Sequence, residues 1–283
     1  MQVLKSSPQS LFRLAELRLK RRDVGSTATW HLGDGGPRVL LIHGFRGDHH
    51  GLLGVAGALP QVRFTIPDLP GFGKTPALDS EHNLDNYASW LVDFVKASGG
   101  YDLILGHSFG SLVVASAFSQ GLEIEKVALQ NPITTRASEA GSKANKVADR
   151  YYELGSREGS NLLTSQAMVR GMSVALAKTK NPGVRRFIHK QHSSYFSVFE
   201  SNRVVAEGYR AARGGNVLDY AETLPTKLLA IAGDRDVVAP LQGQLELARV
   251  TGADLRVLRG VGHLTHYERP SEVASHLSEY LVA

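Results

Sequence analysis

The pentapeptide Gly106-His107-Ser108-Phe109-Gly110 constrains the fold more than any other stretch of this chain. The residues before it, 101–105 (YDLIL), are typical of a buried strand, and those after it, 111–118 (SLVVASAF), are typical of a buried helix. A Gly-x-Ser-x-Gly sequence at such a junction forms a sharp turn that exposes the serine side chain above a sheet. The sequence therefore predicts a parallel sheet with Ser108 at the carboxyl end of one strand.

The same alternation of strand and helix patterns continues on both sides of this turn. Short apolar runs bounded by turn residues predict further strands, and apolar residues at helical spacing predict the helices between them. The predicted strands lie around 17–19 and over 27–32, 38–42, 62–67, 126–129, 227–232 and 255–258, and the predicted helices begin at Leu84 and span 241–250 and 271–282. We therefore predict an α/β fold with a mostly parallel sheet of about eight strands and helices on both faces.

The alternation stops between the predicted strand at 126–129 and the one at 227–232. Residues 132–223 are polar and mostly helical in pattern, which predicts a helical cap inserted into the α/β domain. The domain would then consist of residues 1–131 and 224–283. The cap side chains that could line an apolar pocket are Tyr151, Tyr152, Met168, Met172, Phe187, Tyr195 and Phe196.

The composition excludes several classes of protein. The 283 residues include no cysteine, so disulfides and thiolate metal sites are impossible, and a reducing, cytoplasmic location is expected. The formal net charge is +5, but basic and acidic residues are interleaved along most of the chain, which argues against nucleic-acid binding. No stretch approaches the ~20 apolar residues of a membrane span, and residues 1–23 do not have the pattern of a signal peptide.

Ser108 needs a general base and a carboxylate if it is to act as a nucleophile. In the chain order expected for this turn, the acid and then the histidine follow the serine. One downstream strand is followed by Asp234 and Asp236, and the next is followed by His263, with His266 three residues later. Because parallel strands bring their carboxyl ends to one edge of the sheet, these side chains are expected to lie near Ser108.

With these motifs in place, the sequence resembles the α/β-hydrolase family over about 38–131 and 224–283. The acid of that family commonly occurs as Gly-x-x-Asp-x-x-x-Pro, a pattern that residues 233–240 match. The match favours Asp236 as the acid over Asp234, for which we expect a hydrogen bond to the local backbone.

The resemblance also implies the base and the donors to an oxyanion. The family's histidine usually follows Gly-x-Gly, which selects His263 over His266. One donor would be the N–H of Phe109, the residue after the nucleophile. The other would be the N–H of Phe45, in a His-Gly-x motif that follows the predicted strand at 38–42.

The residues around these donors are candidates for substrate contacts. We place Gly44, Arg46 and His107 in this group, and Arg46 could bind a substrate carboxylate. A solvated arginine on a loop is the alternative for Arg46. His43 is expected to have a structural role at the base of the loop.

A metal site is the rival interpretation of this loop, with His43, Asp48, His49 and His50 as ligands. The spacing does not match a His-x-His-x-Asp-His dinuclear site, and adjacent histidines would point apart on a helix. We therefore predict neither a metal nor any other cofactor.

Residues 68–75 (DLPGFGKT) suggest a nucleotide loop, but the spacing does not fit one. The phosphate-binding loop requires a glycine where this chain has Asp68, and the dinucleotide motif requires one where it has Pro76. The stretch instead resembles the Asp-x-x-Gly-x-Gly-x-Ser/Thr segment of α/β-hydrolases. In that role Asp68 would bind neighbouring backbone N–H groups.

These observations predict a serine hydrolase that cleaves a small acyl substrate, most simply a carboxylic ester. Family members with an aspartate nucleophile are disfavoured because Ser108 occupies that position, and the absence of cysteine excludes a cysteine nucleophile. Two alternatives stay open. The same triad could serve a carbon–carbon bond hydrolase or a lyase, and the same fold could serve a ligand receptor without catalysis.

Overall fold

The structure is a computed structural model that describes residues 1–136, 143–157 and 159–283. The described residues form one eight-stranded sheet in the order β1-β2-β4-β3-β5-β6-β7-β8. The strands are β1 (Lys20–Arg21), β2 (Thr29–Leu32), β3 (Arg38–Ile42), β4 (Arg63–Pro67), β5 (Leu103–His107), β6 (Lys126–Gln130), β7 (Leu228–Gly233) and β8 (Asp254–Leu258). The pairs β1·β2 and β2·β4 are antiparallel and all other pairs are parallel. The predicted α/β class and the mostly parallel sheet are confirmed.

Helices connect the strands and cover both faces of the sheet. They are α1 (Pro8–Glu16), α2 (Leu53–Ala58), α3 (Leu84–Ser98), α4 (Phe109–Ser119), α5 (Lys143–Gly155), α6 (Gln166–Leu176), α7 (Pro182–Tyr195), α8 (Asn202–Gly214), α9 (Leu241–Thr251), α10 (Thr265–Glu268) and α11 (Pro270–Val282). Short 3₁₀ helices span His49–Leu52 and Val217–Tyr220. Helices α5 to α8 all fall between β6 and β7, and we call this whole stretch of the chain the insertion.

The sheet is buried on both faces, as its apolar strands predict. Along β3, Leu40 and Ile42 pack into the core that contains α3 and α4, whereas Val39 and Leu41 pack on the opposite face with α1, α2 and α11. This alternation is the two-residue period of a strand. Helix α4 is buried on all sides from Phe109 to Ala117, so the turn at Ser108 is anchored in the centre of the molecule.

The first predicted strand is wrong. Residues around 17–19 lie in the turn after α1, the strand begins only at Lys20, and Leu17 is 76% exposed. The signal that predicts α1 was present, since Ser7 caps the helix by accepting a hydrogen bond from the Ser10 N–H (3.2 Å) and Pro8 occupies the first turn. The alternation of leucines with charged residues reflects the end of an amphipathic helix.

The described part of the insertion consists of the helices α5 to α8 joined by loops, in keeping with its mostly helical pattern. Residues 137–142 and 158 of the predicted cap lie outside the described residues. The loop that contains Gly71 and Gly73 pairs with the insertion, because the Gly73 N–H donates to Val198 O (3.0 Å) and the Glu200 N–H donates to Gly71 O (2.9 Å). In the described part of the chain, no helix has the length and apolar character needed to cross a membrane.

Candidate active site

Ser108 lies in a turn between β5 and α4 that only glycine neighbours permit. Its backbone is strained, with φ 52° and ψ −118°. A Cβ at Gly106 would lie 2.5 Å from Gly110 O, and a Cβ at Gly110 would lie 2.5 Å from Ile42 O. Strand, turn and helix therefore approach closely, and Ser108 is lifted above the carboxyl end of β5.

Three of the predicted residues form a continuous chain of hydrogen bonds. The Ser108 Oγ lies 2.7 Å from His263 Nε2, and His263 Nδ1 lies 2.8 Å from Asp236 Oδ2. The carboxylate accepts a hydrogen bond from the Nδ1–H group, which leaves Nε2 unprotonated and able to accept the proton of the serine hydroxyl. All three residues are buried, and they follow β5, β7 and β8 at the same edge of the sheet.

Asp236 is held as a carboxylate. Its Oδ1 accepts hydrogen bonds from the N–H groups of Val238 (2.8 Å) and Ala239 (2.9 Å). Burial raises the pKa of Asp236, but the charge of His263 and these hydrogen bonds outweigh burial and hold the pKa below its usual value. Asp234, the alternative acid, is exposed and accepts a hydrogen bond from the Gly260 N–H (2.7 Å), a backbone group 26 residues away rather than the local one that we expected.

Asn131 is a site residue that the sequence interpretation missed. Its Nδ2 donates to Asp236 Oδ2 (2.9 Å), and its Oδ1 accepts from Thr265 Oγ1 (2.5 Å), which itself accepts from Gln130 Nε2 (2.6 Å). This relay fixes the orientation of the amide, because only the Nδ2 side can then face the carboxylate. The available signal was an Asn-Pro dipeptide at the end of β6, a position that faces the site in a parallel sheet.

Backbone strain is concentrated at this site. Among the described residues other than glycine, a positive φ occurs at Arg46 (58°), Ser108 (52°) and Asn131 (47°). Each position costs conformational energy that surrounding contacts must offset. The three residues are far apart in sequence, but each follows the carboxyl end of a strand, β3, β5 or β6. The strained residues therefore lie at the same edge of the sheet as the hydrogen-bonded chain from Ser108 to Asp236.

The loop after β3 packs against the nucleophile. A Cβ at Gly44 would lie 2.9 Å from His107 Nδ1 and 3.2 Å from the Ser108 Cβ, so the main chain of this loop passes directly beside the serine. The Gly47 N–H donates to Gly44 O (3.0 Å), which closes a turn around Phe45. Phe109 begins α4, and its N–H has no partner within the helix.

His43 has the structural role that we expected. It is 2% exposed, its Nδ1 donates to Gly44 O (2.9 Å), and its Nε2 accepts from the Leu69 N–H (2.8 Å). Burial lowers its pKa, so the imidazole remains neutral and keeps this pattern of one donor and one acceptor. His43 thereby ties the loop after β3 to the chain that leaves β4.

Neither alternative for Arg46 describes its surroundings. The side chain is fully buried rather than solvated. Its guanidinium donates to Phe196 O (3.2 Å), to Tyr151 Oη (3.1 Å) and to Leu163 O. These bonds use three of the five N–H groups of the guanidinium, and its full burial separates it from solvent. A contact with a substrate carboxylate therefore stays a prediction.

His107 and His266 are neutral imidazoles packed beside His263. The Nε2 of His107 donates to His263 O (3.3 Å), and burial lowers the pKa of His107 to about 3. The His266 ring lies 4.1 Å from that of His107, and burial lowers its pKa as well. His266 Nδ1 has no hydrogen-bond partner among the described residues, whereas His263 bonds to the serine.

The reason given against a metal site needs correction. His49 and His50 lie on a 3₁₀ helix and do not point apart, since their ring centroids are 3.9 Å apart and their ligand atoms lie within 4.8 Å of each other and of Asp48. Trp30 stacks on His49 (3.6 Å) and Tyr195 stacks on His50 (3.6 Å). The side chains of Asp48, His49 and His50 are close enough together to hold a metal ion, so the absence of a metal stays a prediction.

Asp68, in the loop that resembles a nucleotide motif, binds backbone N–H groups as expected. Its Oδ1 accepts from the His49 N–H (2.8 Å) and its Oδ2 accepts from the Lys74 N–H (2.8 Å). The same Oδ1 lies 2.9 Å from His49 Nδ1. Asp68 therefore holds the 3₁₀ helix and the glycine-containing loop together beneath the site.

The insertion brings aromatic side chains to the loop after β3. The Tyr152 ring lies 5.6 Å from that of Phe45 and stacks on Tyr209 (3.9 Å). Two of the other candidates for an apolar pocket lie elsewhere. Phe187 packs on Phe12 and Tyr267, and Met168 is 37% exposed.

Comparison with known proteins now decides the family. A family model described as "Alpha/beta hydrolase family" matches residues 39–276, which is most of the chain. The chain belongs to the α/β-hydrolase family. The match extends from β3 to within α11 and includes the insertion and every residue of the hydrogen-bonded chain.

Solved structures show the same fold for this α/β-hydrolase. An esterase from Rhodococcus sp. ECU1013 has a TM-score of 0.75 at 18% identity, with 94% of this chain and 99% of that chain covered. A thermophilic esterase from Thermogutta terrifontis has a TM-score of 0.73 at 22% identity, with 93% and 98% covered. A bromoperoxidase from Bacillus anthracis also has a TM-score of 0.73, at 18% identity, with 94% and 100% covered. No curated protein sequence matches the chain.

Proposed function

We propose that this α/β-hydrolase is a serine hydrolase that cleaves a small acyl substrate, with a carboxylic ester as the first candidate. The observation that carries the proposal is the chain from Ser108 Oγ through His263 to Asp236, with heavy-atom distances of 2.7 and 2.8 Å. A serine becomes a nucleophile near neutral pH when a base of this kind removes its proton. The strained turn at Ser108 supports the same role.

The reaction would proceed through an acyl-enzyme. The Ser108 Oγ attacks the carbonyl carbon while His263 Nε2 takes the hydroxyl proton, and the resulting oxyanion accepts hydrogen bonds from the N–H groups of Phe45 and Phe109. The carbon–oxygen bond to the alcohol then breaks, and His263 gives its proton to the departing oxygen. Water, deprotonated by His263, hydrolyses the acyl-enzyme and releases the acid and Ser108. Asp236 orients His263 and stabilises its cationic form.

Residues 132–223 would act as a cap over Ser108, between core segments 1–131 and 224–283. The contact between Tyr152 and Phe45 supports this division, because it brings an inserted helix to the residue proposed as an oxyanion donor. The cap would then select the acyl group. The cysteine-free composition supports a cytoplasmic location.

Two of the similar structures are esterases, which favours esters as the first substrates to try. Identities of 18% and 22% show a shared fold but not a shared substrate, and the similar bromoperoxidase is an example of a different activity on this fold. Carbon–carbon bond cleavage, lyase activity and non-catalytic ligand binding are therefore outcomes that the experiment must distinguish.

The test combines a fluorophosphonate probe with a series of 4-nitrophenyl esters of increasing acyl length. We expect the wild-type protein to be labelled and to hydrolyse short esters, and Ser108→Ala to lose labelling and at least ~10⁴-fold in kcat. Ser116→Ala is the matched control, because Ser116 is a buried serine in α4 whose Oγ has no partner among the described residues. Wild-type protein that is folded but neither labelled nor active on any ester would contradict the proposal and favour the lyase or receptor.

A further inference from the structure

Arg46 is a fully buried cation whose side-chain bonds all lead into the insertion. Its Nε donates to Phe196 O (3.2 Å), its Nη1 donates to Tyr151 Oη (3.1 Å) and its Nη2 donates to Leu163 O. Within the described ranges, no carboxylate forms an ion pair with it. Removing an unpaired guanidinium from water is costly, so its other contacts must offset that cost.

Aromatic rings of the insertion supply part of that compensation. The guanidinium carbon lies 4.5 Å from the ring centroid of Phe196, 5.6 Å from that of Phe199 and 5.9 Å from that of Tyr152. These distances fall in the range in which a cation is attracted to a ring face. The Arg46 side chain thus belongs to the packing of the insertion, although its main chain belongs to the loop after β3.

The main chain of Arg46 shapes the turn that carries Phe45. The Gly47 N–H bonds to Gly44 O (3.0 Å), so Phe45 and Arg46 are the two central residues of a four-residue turn. Arg46 has φ 58°, a conformation that glycine adopts without strain and arginine does not. Gly44 itself lies against Ser108, so small rotations of this turn change the direction of the Phe45 N–H relative to the serine.

We propose that Arg46 is a positioning residue that couples the seating of the insertion to the alignment of the Phe45 N–H. When the insertion is seated, the guanidinium is held at three acceptors and the turn is fixed. When the insertion is displaced, these three hydrogen bonds of the guanidinium, which we call the anchor, are lost. The strained turn is then free to relax. The inference rests on the proposed function, because it assigns to the Phe45 N–H the role of an oxyanion donor.

Two substitutions separate the anchor from the backbone conformation. Arg46→Lys keeps the charge, but a single ammonium group cannot reproduce the planar fork that reaches three separate acceptors. Arg46→Gly keeps the positive φ without strain and removes the anchor. We expect both variants to lose about 10- to 100-fold in kcat, with KM within about threefold of wild type, because a misaligned oxyanion donor weakens the transition state rather than ground-state binding.

Arg38→Lys is the matched control for the loss of a structural arginine. Arg38 also donates to two main-chain carbonyls, Gly99 O and Ser98 O (2.6 Å each), and lies over the ring of Tyr101 at 5.0 Å. It begins β3, at the end of the strand opposite to the site. We expect Arg38→Lys to lower the melting temperature and to leave kcat and KM unchanged.

The decisive measurement is the affinity for a trifluoromethyl ketone, which forms a tetrahedral oxyanion adduct with the serine, compared with that for the carboxylic acid product. In Arg46→Lys and Arg46→Gly, affinity for the ketone should fall in parallel with kcat, whereas affinity for the acid should change by less than about threefold. Variants that lose thermal stability but keep kcat and ketone affinity within about twofold of wild type would overturn the inference.

Amide hydrogen exchange gives a readout that does not depend on activity. In Arg46→Lys, the exchange rates of the amides in 44–47 and in the insertion near Leu163 and Phe196 should rise together, while Arg38→Lys leaves them unchanged. If exchange rises in the insertion but not in 44–47, the anchor does not hold the turn and the inference is wrong. An inactive wild-type protein would contradict only the proposed function, since the exchange experiment still decides whether the anchor exists.

Discussion

The core and the insertion both reach the site, but the contacts that hold them there differ. The core places Ser108 by packing: α4 is buried from Phe109 to Ala117, and the flanking glycines leave no space for a Cβ. The insertion also packs into the apolar core, through Val204 and Val205, and it adds directional polar contacts, such as those of Arg46 and the hydrogen bond from the His82 N–H to Glu207 Oε2 (2.9 Å). Packing makes the geometry of Ser108 resistant to change, whereas single substitutions can remove the polar contacts of the insertion one at a time.

The largest effect should come from the core, where Asp236→Asn reverses the polarity of the chain of hydrogen bonds. An amide Nδ2 at the position of Oδ2 would face both His263 Nδ1 and Asn131 Nδ2, which are donors in the native arrangement. The imidazole would then favour the other tautomer, and kcat should fall by about 10⁴-fold.

Asp234→Asn is the control, because Asp234 is exposed and accepts only a hydrogen bond from the Gly260 N–H (2.7 Å) among the described residues. Its kcat should stay within about twofold of wild type. Steady-state kinetics on the best ester decide between the two aspartates, and equal losses in the two variants would remove Asp236 from its proposed role.

Among the substitutions considered, we expect Gly110→Ala to lower stability most, because Gly110 is closely packed in the core. The new Cβ would lie 2.5 Å from Ile42 O and 2.7 Å from His43 O, both of which are backbone atoms that cannot move independently. We expect the free energy of unfolding to fall by about 3 kcal/mol, as for overpacking at a site that cannot relax.

Gly171→Ala tests the opposite behaviour in the insertion. Gly171 is exposed within α6, and nothing lies within 4 Å of the position of its Cβ. Alanine should therefore stabilise the helix by about 0.5–1 kcal/mol. Urea unfolding of both variants measures the contrast, and a stable Gly110→Ala protein with full activity would show that the turn is less tightly packed than the geometry indicates.

The sequence alone was sufficient for the parts of the molecule that short motifs and strand periodicity determine. The strand predicted at 38–42 coincides with β3, and the residues of the hydrogen-bonded chain lie at strand ends whose order follows from a parallel sheet. The environment of Arg46 could not be predicted, because its partners include Phe196 O, 150 residues away, and only the folded insertion brings them together. Asn131 acquires its role in the same way, through a carboxylate that is 105 residues away.

Acid should destabilise the protein through its buried histidines. Burial lowers the pKa of His107 to about 3 and that of His192 to about 4, whereas an unfolded histidine titrates near pH 6.5. Between these values the unfolded chain binds more protons, so the free energy of unfolding falls as pH falls below about 6.5, by up to ~1.4 kcal/mol per pH unit for each buried histidine. Asp236 has a lowered pKa and therefore adds to this loss only below about pH 4.

Leucine substitutions compare the two regions directly, since His107 lies at the end of β5 and His192 lies in α7. Urea unfolding at pH 7.5, 6.5 and 5.5 should show a shallower pH dependence for both His107→Leu and His192→Leu than for wild type. A shallower dependence for His107→Leu alone would mean that His192 is hydrated in solution and that the insertion is less tightly seated than the core.

The smallest effect is expected at a partly exposed contact inside the insertion. Asp149 binds Arg213 and accepts a hydrogen bond from Tyr209 Oη (2.9 Å), and Tyr209 stacks on Tyr152, the ring that faces Phe45. Asp149→Asn should lower stability by less than about 1 kcal/mol, because solvent screens the pair. Since this pair lies within the insertion and does not bind Arg46, KM should rise about two- to threefold while kcat stays constant.

Glu153→Gln in the same helix is the matched control for this smallest effect. Glu153 pairs with Arg150, and both side chains are more than half exposed (57% and 61%), so its loss should change neither KM nor kcat. Kinetics with a short and a longer ester separate the outcomes, since a displaced Tyr209 should raise KM for the two esters unequally. A fall of more than about tenfold in kcat for Asp149→Asn, with KM unchanged, would show that the insertion takes part in transition-state stabilisation well beyond the anchor at Arg46.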